Sequence, residues 1–147
     1  MTSLIDLTPA ECEQLLRAGV FGRLVLTDLP SGAEILPVNY TTLDDAVLIR
    51  TAPGSLIDRQ APGASVLFEV DHVDHDRHHG WSVVARGSVE RVPEEERAAL
   101  EGRTPGPPRW LRREEWSWVR LRWDSLSGRQ VGEGWDPVAG LPVRRAL

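Results

Sequence analysis

The apolar and polar residues near the start of the chain follow a helical pattern. Leu15 and Leu16 give this segment one apolar side. Before them, Thr8 and Glu11 have the spacing of a capping box with Pro9 at the first helical position. Gly19 follows as a natural helix stop. The pattern therefore predicts a short helix that begins after Thr8.

From residue 21 onward the pattern changes to short segments rich in Val, Leu and Ile, separated by turn-forming residues. No repeating helix lies between successive segments, which indicates an antiparallel sheet that closes or nearly closes. Two further short helices are expected, at about residues 54–60 and after Pro93. We predict strands at residues 21–26, 34–41, 46–51, 65–73, 81–92 and 116–123, and we consider one more after Gly128.

The length of 147 residues suits a single domain with one hydrophobic core. We expect that core to span about residues 7–130, with an irregular tail at 131–147. The composition, 41% hydrophobic and 27% charged, is that of an ordinary globular protein. The chain is therefore predicted to be one mainly β domain.

The charge balance argues against a protein that binds nucleic acid through broad charge neutralisation, because the net charge is −5. All 17 basic residues are arginine, whose planar fork suits phosphate groups. Cys12 is the only cysteine, so no intrachain disulfide can form. No signal peptide and no apolar run of about 20 residues is visible. We expect a cytoplasmic location without membrane association.

Several sequence segments share their order and spacing with one known family. They are GRL at 22–24, ILPVNY at 35–40, LIRTAPGS at 48–55, VLFEVD at 66–71, GWSVVARG at 80–87 and, more weakly, WVRL at 118–121 with SGR at 127–129. In these segments the chain resembles the pyridoxamine 5′-phosphate oxidase-like flavin-binding proteins, in particular the small flavin-nitroreductase-like branch. The resemblance implies a six-stranded antiparallel split β-barrel of Greek-key type with two or three short helices.

The resemblance also implies a homodimer with two FMN molecules at the subunit interface. The strand that holds Pro37, Val38, Asn39 and Tyr40 would run beside the isoalloxazine ring. Trp81 and Ser82 would complete the pocket from a neighbouring strand, while the ribityl phosphate would be held by Arg50, Thr51 and the Gly54-Ser55 turn. A guanidinium, hydroxyl groups and backbone N–H groups are the donors that a phosphate needs.

One position departs from the family pattern. The family often places a lysine two residues after the glycine of this loop, and here that residue is Leu56. Arg59 lies about one helical turn further and is the candidate replacement, provided that its side chain folds back. The expected cofactor-binding residues therefore include Leu56 and Arg59.

The function that the resemblance implies is an FMN-dependent oxidoreductase acting on a small organic substrate. The flavin would carry the hydride or electron chemistry, so no catalytic side chain is assigned. A reduced nicotinamide, NADH or NADPH, is the expected transient electron donor. The alternatives are an F420-dependent reductase on the same fold and a non-catalytic flavin- or haem-binding protein.

Two further sequence features have competing interpretations. Residues 71–79 contain all four histidines among carboxylates, so a metal site must be weighed against a solvated hairpin loop. We favour the loop and assign no metal ligand. Five of the six tryptophans lie between Trp110 and Trp135. We expect most of them to pack in the core and the dimer interface, and Trp110 or Trp116 to reach over the partner's flavin.

Overall fold

The computed structural model describes residues 4–107 and 115–141 of the chain. Seven strands and three helices lie in these ranges. In chain order they are β1 (Leu4–Asp6), α1 (Pro9–Ala18), β2 (Phe21–Leu29), β3 (Gly32–Leu43), β4 (Ala46–Thr51), α2 (Leu56–Gln60), β5 (Ser65–Asp74), β6 (His79–Arg91), α3 (Glu94–Glu101) and β7 (Ser117–Val131).

The sheet closes into a ring of six antiparallel strands. Its strand order is β1-β7-β4-β3-β2-β5-β6, and an additional pairing of β6 with β7 joins the two sides. Strands β2 to β7 form the ring, while β1 is an extra strand on β7. The expected mainly β, split-barrel fold is confirmed. None of the three helices in the described ranges has the length and apolar character that a membrane crossing requires.

Alternation along the strands separates an apolar interior from a more polar exterior. On β2, Gly22, Leu24 and Leu26 are buried, whereas the residues between them are half-buried. Leu24 pairs with Phe68 of β5, and both side chains are fully enclosed. The period of two therefore places one face of each strand in a common core.

Helix α1 covers one end of the barrel, and its start follows the sequence expectation. Thr8 Oγ1 accepts a hydrogen bond from the Glu11 backbone N–H at 3.2 Å, and Glu11 Oε1 accepts one from the Thr8 N–H at 3.1 Å. The capping box is thus formed, with Pro9 as the first helical residue. Leu15 and Leu16 are fully buried against the barrel core.

The final strand differs from the prediction. Instead of a strand at 116–123 and a separate one after Gly128, β7 runs unbroken through fifteen residues. Gly128 does not break it: a Cβ at this position would lie 2.8 Å from the Ser82 carbonyl oxygen and 2.9 Å from Cys12 Sγ. The glycine therefore permits close packing inside a continuous strand. Strand β1, which was not predicted, has three exposed residues and hence no burial pattern to detect.

A nearly buried arginine fastens α3 to the barrel. The Arg120 guanidinium donates to Glu90 Oε1 of β6 at 2.6 Å and to Glu96 Oε1 of α3 at 2.6 Å. These hydrogen bonds from Arg120 hold the pKa values of both glutamates below their ordinary range. Because burial of an unpaired guanidinium is costly, both carboxylates help keep Arg120 in place.

The Arg120 network predicts an acid-sensitive contribution to stability. A lowered folded-state pKa stabilises the protein above the unfolded value of about 4.3, and this contribution is lost as pH falls through the folded value. Glu96→Gln should therefore lower the free energy of unfolding at neutral pH, and its difference from the wild type should shrink toward about pH 3. Urea unfolding across this pH range measures both effects. Glu101→Gln, an exposed control on α3, should leave the pH profile unchanged.

Candidate functional site

Two hydroxyl groups meet at the turn that follows β4. Thr51 Oγ1 and Ser55 Oγ lie 2.6 Å apart, and Ser55 Oγ accepts the Asp58 backbone N–H at 3.2 Å as the N-cap of α2. One hydroxyl proton is used between the two side chains. The other therefore remains available for a ligand, whichever of the two oxygens is the donor.

The same turn also uses a buried carboxylate, which the sequence did not single out. Asp58 Oδ2 accepts the Gly54 backbone N–H at 2.8 Å, and Asp58 Oδ1 forms an ion pair with Arg91 at 3.1 Å. Gly54 has a φ of +76°, a conformation that favours glycine. The Gly54 N–H is thus occupied by the chain's own carboxylate and is not a donor for an anion at this turn.

Arg59 folds back over the turn. Its Nε donates to the Gly54 carbonyl oxygen at 2.9 Å, and the side chain is exposed. The hydrogen bond uses one of its five N–H donors. Leu56, at the position where a lysine was expected, packs its half-buried side chain against the core. The chain therefore brings Thr51, Ser55 and Arg59 together, and we call these three residues the hydroxyl–arginine turn.

The structure does not bring Arg50 to this turn. Arg50 donates to the Pro105 carbonyl oxygen at 3.0 Å and to that of Pro107, and its guanidinium lies 4.7 Å from the ring centre of Trp118. The physical reason is strand alternation, since adjacent residues of β4 point to opposite faces. Within one chain the side chains of Arg50 and Thr51 therefore have separate contacts, and their joint phosphate contact stays a prediction. Arg50 instead holds the loop at 102–107 on the outside of the barrel.

The four β3 residues that were expected beside the flavin, residues 37–40, point alternately outward and into the core. Pro37 is exposed and Asn39 is half-buried on the outer face, where Asn39 Nδ2 donates to the Val20 carbonyl oxygen at 3.4 Å. Val38 and Tyr40 are buried in the core. The Tyr40 hydroxyl donates to the Leu16 carbonyl oxygen of α1 at 2.6 Å. The side chains of Val38 and Tyr40 thus belong to the interior, and only Pro37 and Asn39 face outward.

An ion cluster occupies the outer face beside these residues. Arg23, which pairs with Pro37 across β2 and β3, lies 2.9 Å from Glu69 Oε2 and 3.4 Å from Asp71 Oδ1. Burial and the adjacent Asp71 carboxylate raise the pKa of Glu69, although Arg23 opposes them. One arginine therefore holds two acidic groups together on this face.

Trp81 and Ser82 are also separated by strand alternation. Trp81 lines a cleft of about 540 Å³ at the α1 end of the barrel, together with His72, His79 and Trp135. His79 and Trp135 stack there with ring centres 4.5 Å apart. Ser82 instead lines an outer groove between β1, β6 and β7. The two residues therefore do not contribute side chains to one pocket within this chain.

The histidine-rich segment spans the β5–β6 hairpin: residues 75–78 form the turn, and residues 71–74 and 79 lie in the two strands. His72, His75 and His78 are exposed, and the Asp74 carboxylate accepts the Asp76 and Arg77 backbone N–H groups of the turn. Within residues 4–107 and 115–141, no three metal-ligating side chains cluster around a common point.

Of the two tryptophans that were expected to reach over the partner's flavin, the structure describes one. Trp116 packs half-buried against a small outer cluster that includes Leu48 and Trp118. Trp110 lies outside the described residues.

A closed antiparallel barrel with the hydroxyl–arginine turn on its wall defines the class: a split-barrel protein with a candidate anion site. The model of the family described as Pyridoxamine 5′-phosphate oxidase matches residues 8–130. The chain therefore belongs to that family.

Individual relatives agree with this assignment. The structure of the FAD binding protein from Mycobacterium smegmatis is 33% identical, with a TM-score of 0.70 over 85% of this chain and 95% of that one. A putative pyridoxamine 5′-phosphate oxidase from Corynebacterium glutamicum is 28% identical, with a TM-score of 0.73 over 87% and 98%. The uncharacterized protein Rv0080 of Mycobacterium tuberculosis is 31% identical over 84% of this chain and 77% of its own length.

The contacts of Arg50 predict a local change when its guanidinium is removed. Arg50→Gln should increase amide hydrogen exchange at residues 102–107, because the loop carbonyls lose the charged donors of a guanidinium that is itself held against Trp118. Mass-spectrometric hydrogen exchange on the intact protein measures this. Arg59→Gln is the matched control and should leave the exchange of the loop unchanged. Equal exchange in the wild type and Arg50→Gln would contradict the assigned role.

Proposed function

We propose that this protein is a flavin-dependent oxidoreductase whose flavin is FMN, held at its phosphate by the hydroxyl–arginine turn. The observation that carries the proposal is that Arg59 folds back onto the Gly54 carbonyl beside the paired hydroxyls of Thr51 and Ser55. This donor set suits a phosphate, because it combines a charged fork with a free hydroxyl proton. Membership of the family supports a flavin as the molecule that carries the phosphate.

The residues at the turn bind and orient rather than react. Thr51 is buried and fixes the Ser55 hydroxyl, while Arg59 supplies positive charge at the surface. Asp58 keeps the turn in shape through Gly54, and its charge is offset by Arg91. When bound, the flavin supplies the hydride or electron transfer, with a reduced nicotinamide as the proposed donor. The substrate is proposed to be a small organic molecule.

A second copy of the chain is the proposed partner of the outer face. Ile35 is 64% exposed and Phe21 is 41% exposed, and both lie on the same face as Pro37 and Asn39. A tricyclic ring on a flat barrel wall needs a second wall to bury it. A two-fold homodimer supplies that wall for both copies.

The phosphate assignment predicts selective loss of FMN affinity. Arg59→Gln should weaken FMN binding by roughly tenfold, the value of one charged hydrogen bond, but should leave riboflavin binding unchanged because riboflavin lacks the phosphate. Visible absorption titrations with both flavins measure the two affinities. Arg77→Gln, an exposed arginine of the β5–β6 turn, is the control.

Other results of that titration have distinct meanings. A protein that gains no flavin band under saturating FMN would overturn the FMN proposal and favour a deazaflavin or haem ligand. Equal loss of FMN and riboflavin in Arg59→Gln would overturn the phosphate role. A separate assay tests the proposed oxidoreductase activity: oxidation of NADH or NADPH by the FMN-loaded protein in the presence of an acceptor supports it. Bound flavin without turnover identifies a non-catalytic flavin-binding protein.

The dimer proposal predicts that a charge on the outer face separates the two copies. Ile35→Glu should shift the protein from dimer to monomer in sedimentation analysis, since it would place a carboxylate in the apolar part of the interface. Leu4→Glu provides the control, because Leu4 is 58% exposed on β1, a strand outside the six-stranded ring. A wild-type monomer at high protein concentration would reject the proposal.

A further inference from the structure

A second concave surface with cationic walls lies on the outside of the barrel. It is a groove of about 520 Å³ between β1, β6 and β7. Leu7, Val84 and Leu126 supply its apolar lining. Its polar lining consists of Asp6, Ser82, Arg86, Ser127 and Arg129. The groove is thus equipped for a ligand that is partly apolar and partly anionic.

The strand register sets the spacing of the two arginines. Ser82 pairs with Arg129, and Val84 pairs with Ser127, so these side chains share the outer face of β6 and β7. Arg86 reaches back along this face, and its Nη1 donates to Ser127 Oγ at 2.9 Å. Since Ser127 is two residues from Arg129, the Arg86 guanidinium lies about 7 Å along the strand from the Arg129 position. Two guanidinium groups and two hydroxyls therefore line a gap that can admit a diphosphate.

The present contacts of these arginines are weak enough to be exchanged for a ligand. Arg86 donates to a neutral hydroxyl. Arg129 lies 3.8 Å from the carboxylate of Asp6, and both side chains are largely exposed. An exposed ion pair of this kind contributes little energy. A phosphate offers each guanidinium a charged acceptor with matching geometry.

Two acidic groups on the neighbouring strand β5 are already compensated. Asp71 pairs with Ser82 across β5 and β6, and Glu69 pairs with Val84. Arg23 lies within ion-pair distance of both carboxylates. Asp6 is therefore the one carboxylate lining the groove itself, among the residues that the structure describes.

The groove is separate from the hydroxyl–arginine turn. That turn lies where β4 leads into α2, whereas the groove is built from β1, β6 and β7. Of the residues considered for flavin contact, Ser82 is the one that lines the groove. An anion held here is consequently a different phosphate group from the one at Arg59.

We propose that this groove is a phosphate subsite that binds the diphosphate of an adenine dinucleotide through Arg86 and Arg129. The inference rests on the proposed flavin function only for the identity of the dinucleotide. The molecule with this chemistry that the proposed function requires is the reduced nicotinamide dinucleotide that serves as electron donor. Val84, which shares the outer face with Ser82 and Ser127, supplies an apolar contact for the non-phosphate part of the ligand.

Calorimetric titration with ADP tests the subsite without redox chemistry. ADP should bind the wild type, and Arg86→Gln and Arg129→Gln should each weaken it about tenfold. Asp6→Asn should strengthen binding by roughly twofold to threefold, because it removes a competing carboxylate. Arg122→Gln, which changes an exposed arginine of β7 outside the groove, is the control. FMN affinity should remain unchanged in all four variants.

A further titration tests the electron donor as the source of the diphosphate. If NADP⁺ binds the FMN-loaded protein and this binding is weakened by Arg86→Gln and Arg129→Gln, the groove serves the electron donor. ADP and NADP⁺ affinities that are insensitive to both variants would overturn the proposal. Failure of FMN to bind would reject the proposed flavin function while leaving the ADP result to decide on the groove.

Discussion

The pairing of β6 with β7 is the constraint on which the rest of this molecule depends. It converts a row of strands into a ring, with partners from Gly80–Val131 to Arg91–Val119. Once the ring is closed, every strand residue points either into the core or out of the barrel. A slip by one residue would reverse the facing of a whole strand, so the register is strongly fixed by burial.

A single irregularity accommodates this closure. The register shifts between Arg86 and Gly87, where the backbones of β6 and β7 approach so closely that a side chain at Gly87 would collide with the Arg122 carbonyl. Bulges of this kind bend a strand and increase its twist. The shift lies beside Arg86, so closure of the barrel also shapes the end of the outer groove.

Much of the fold could be predicted from sequence because its signals are local. Period-two apolar segments and the Thr8 capping box depend on neighbours a few residues away, and the structure confirms them. Strand β1 escaped prediction because all three of its residues are exposed. The continuity of β7 through Gly128 depends on contacts with Cys12 and Ser82, which are distant in sequence.

The arrangement of the candidate site residues within the chain could be predicted from sequence only in part. Alternation alone indicates that Arg50 and Thr51, as neighbours in one strand, face opposite ways, and the same holds for Trp81 and Ser82. This part was readable from the sequence. The capture of Arg50 by the Pro105 carbonyl was not, because it joins residues 55 positions apart.

The arginines show why residue type alone does not identify an anion site. Arg120 is buried and donates hydrogen bonds to two carboxylates, and Arg50 donates to loop carbonyl oxygens. A guanidinium used in this way keeps its charge but has few N–H groups left to direct at a ligand. Arg59 is exposed and contacts the Gly54 carbonyl through Nε. Since phosphate recognition requires both charge and available donors, these contacts are the reason that Arg59, rather than Arg50, is proposed as the phosphate-binding residue.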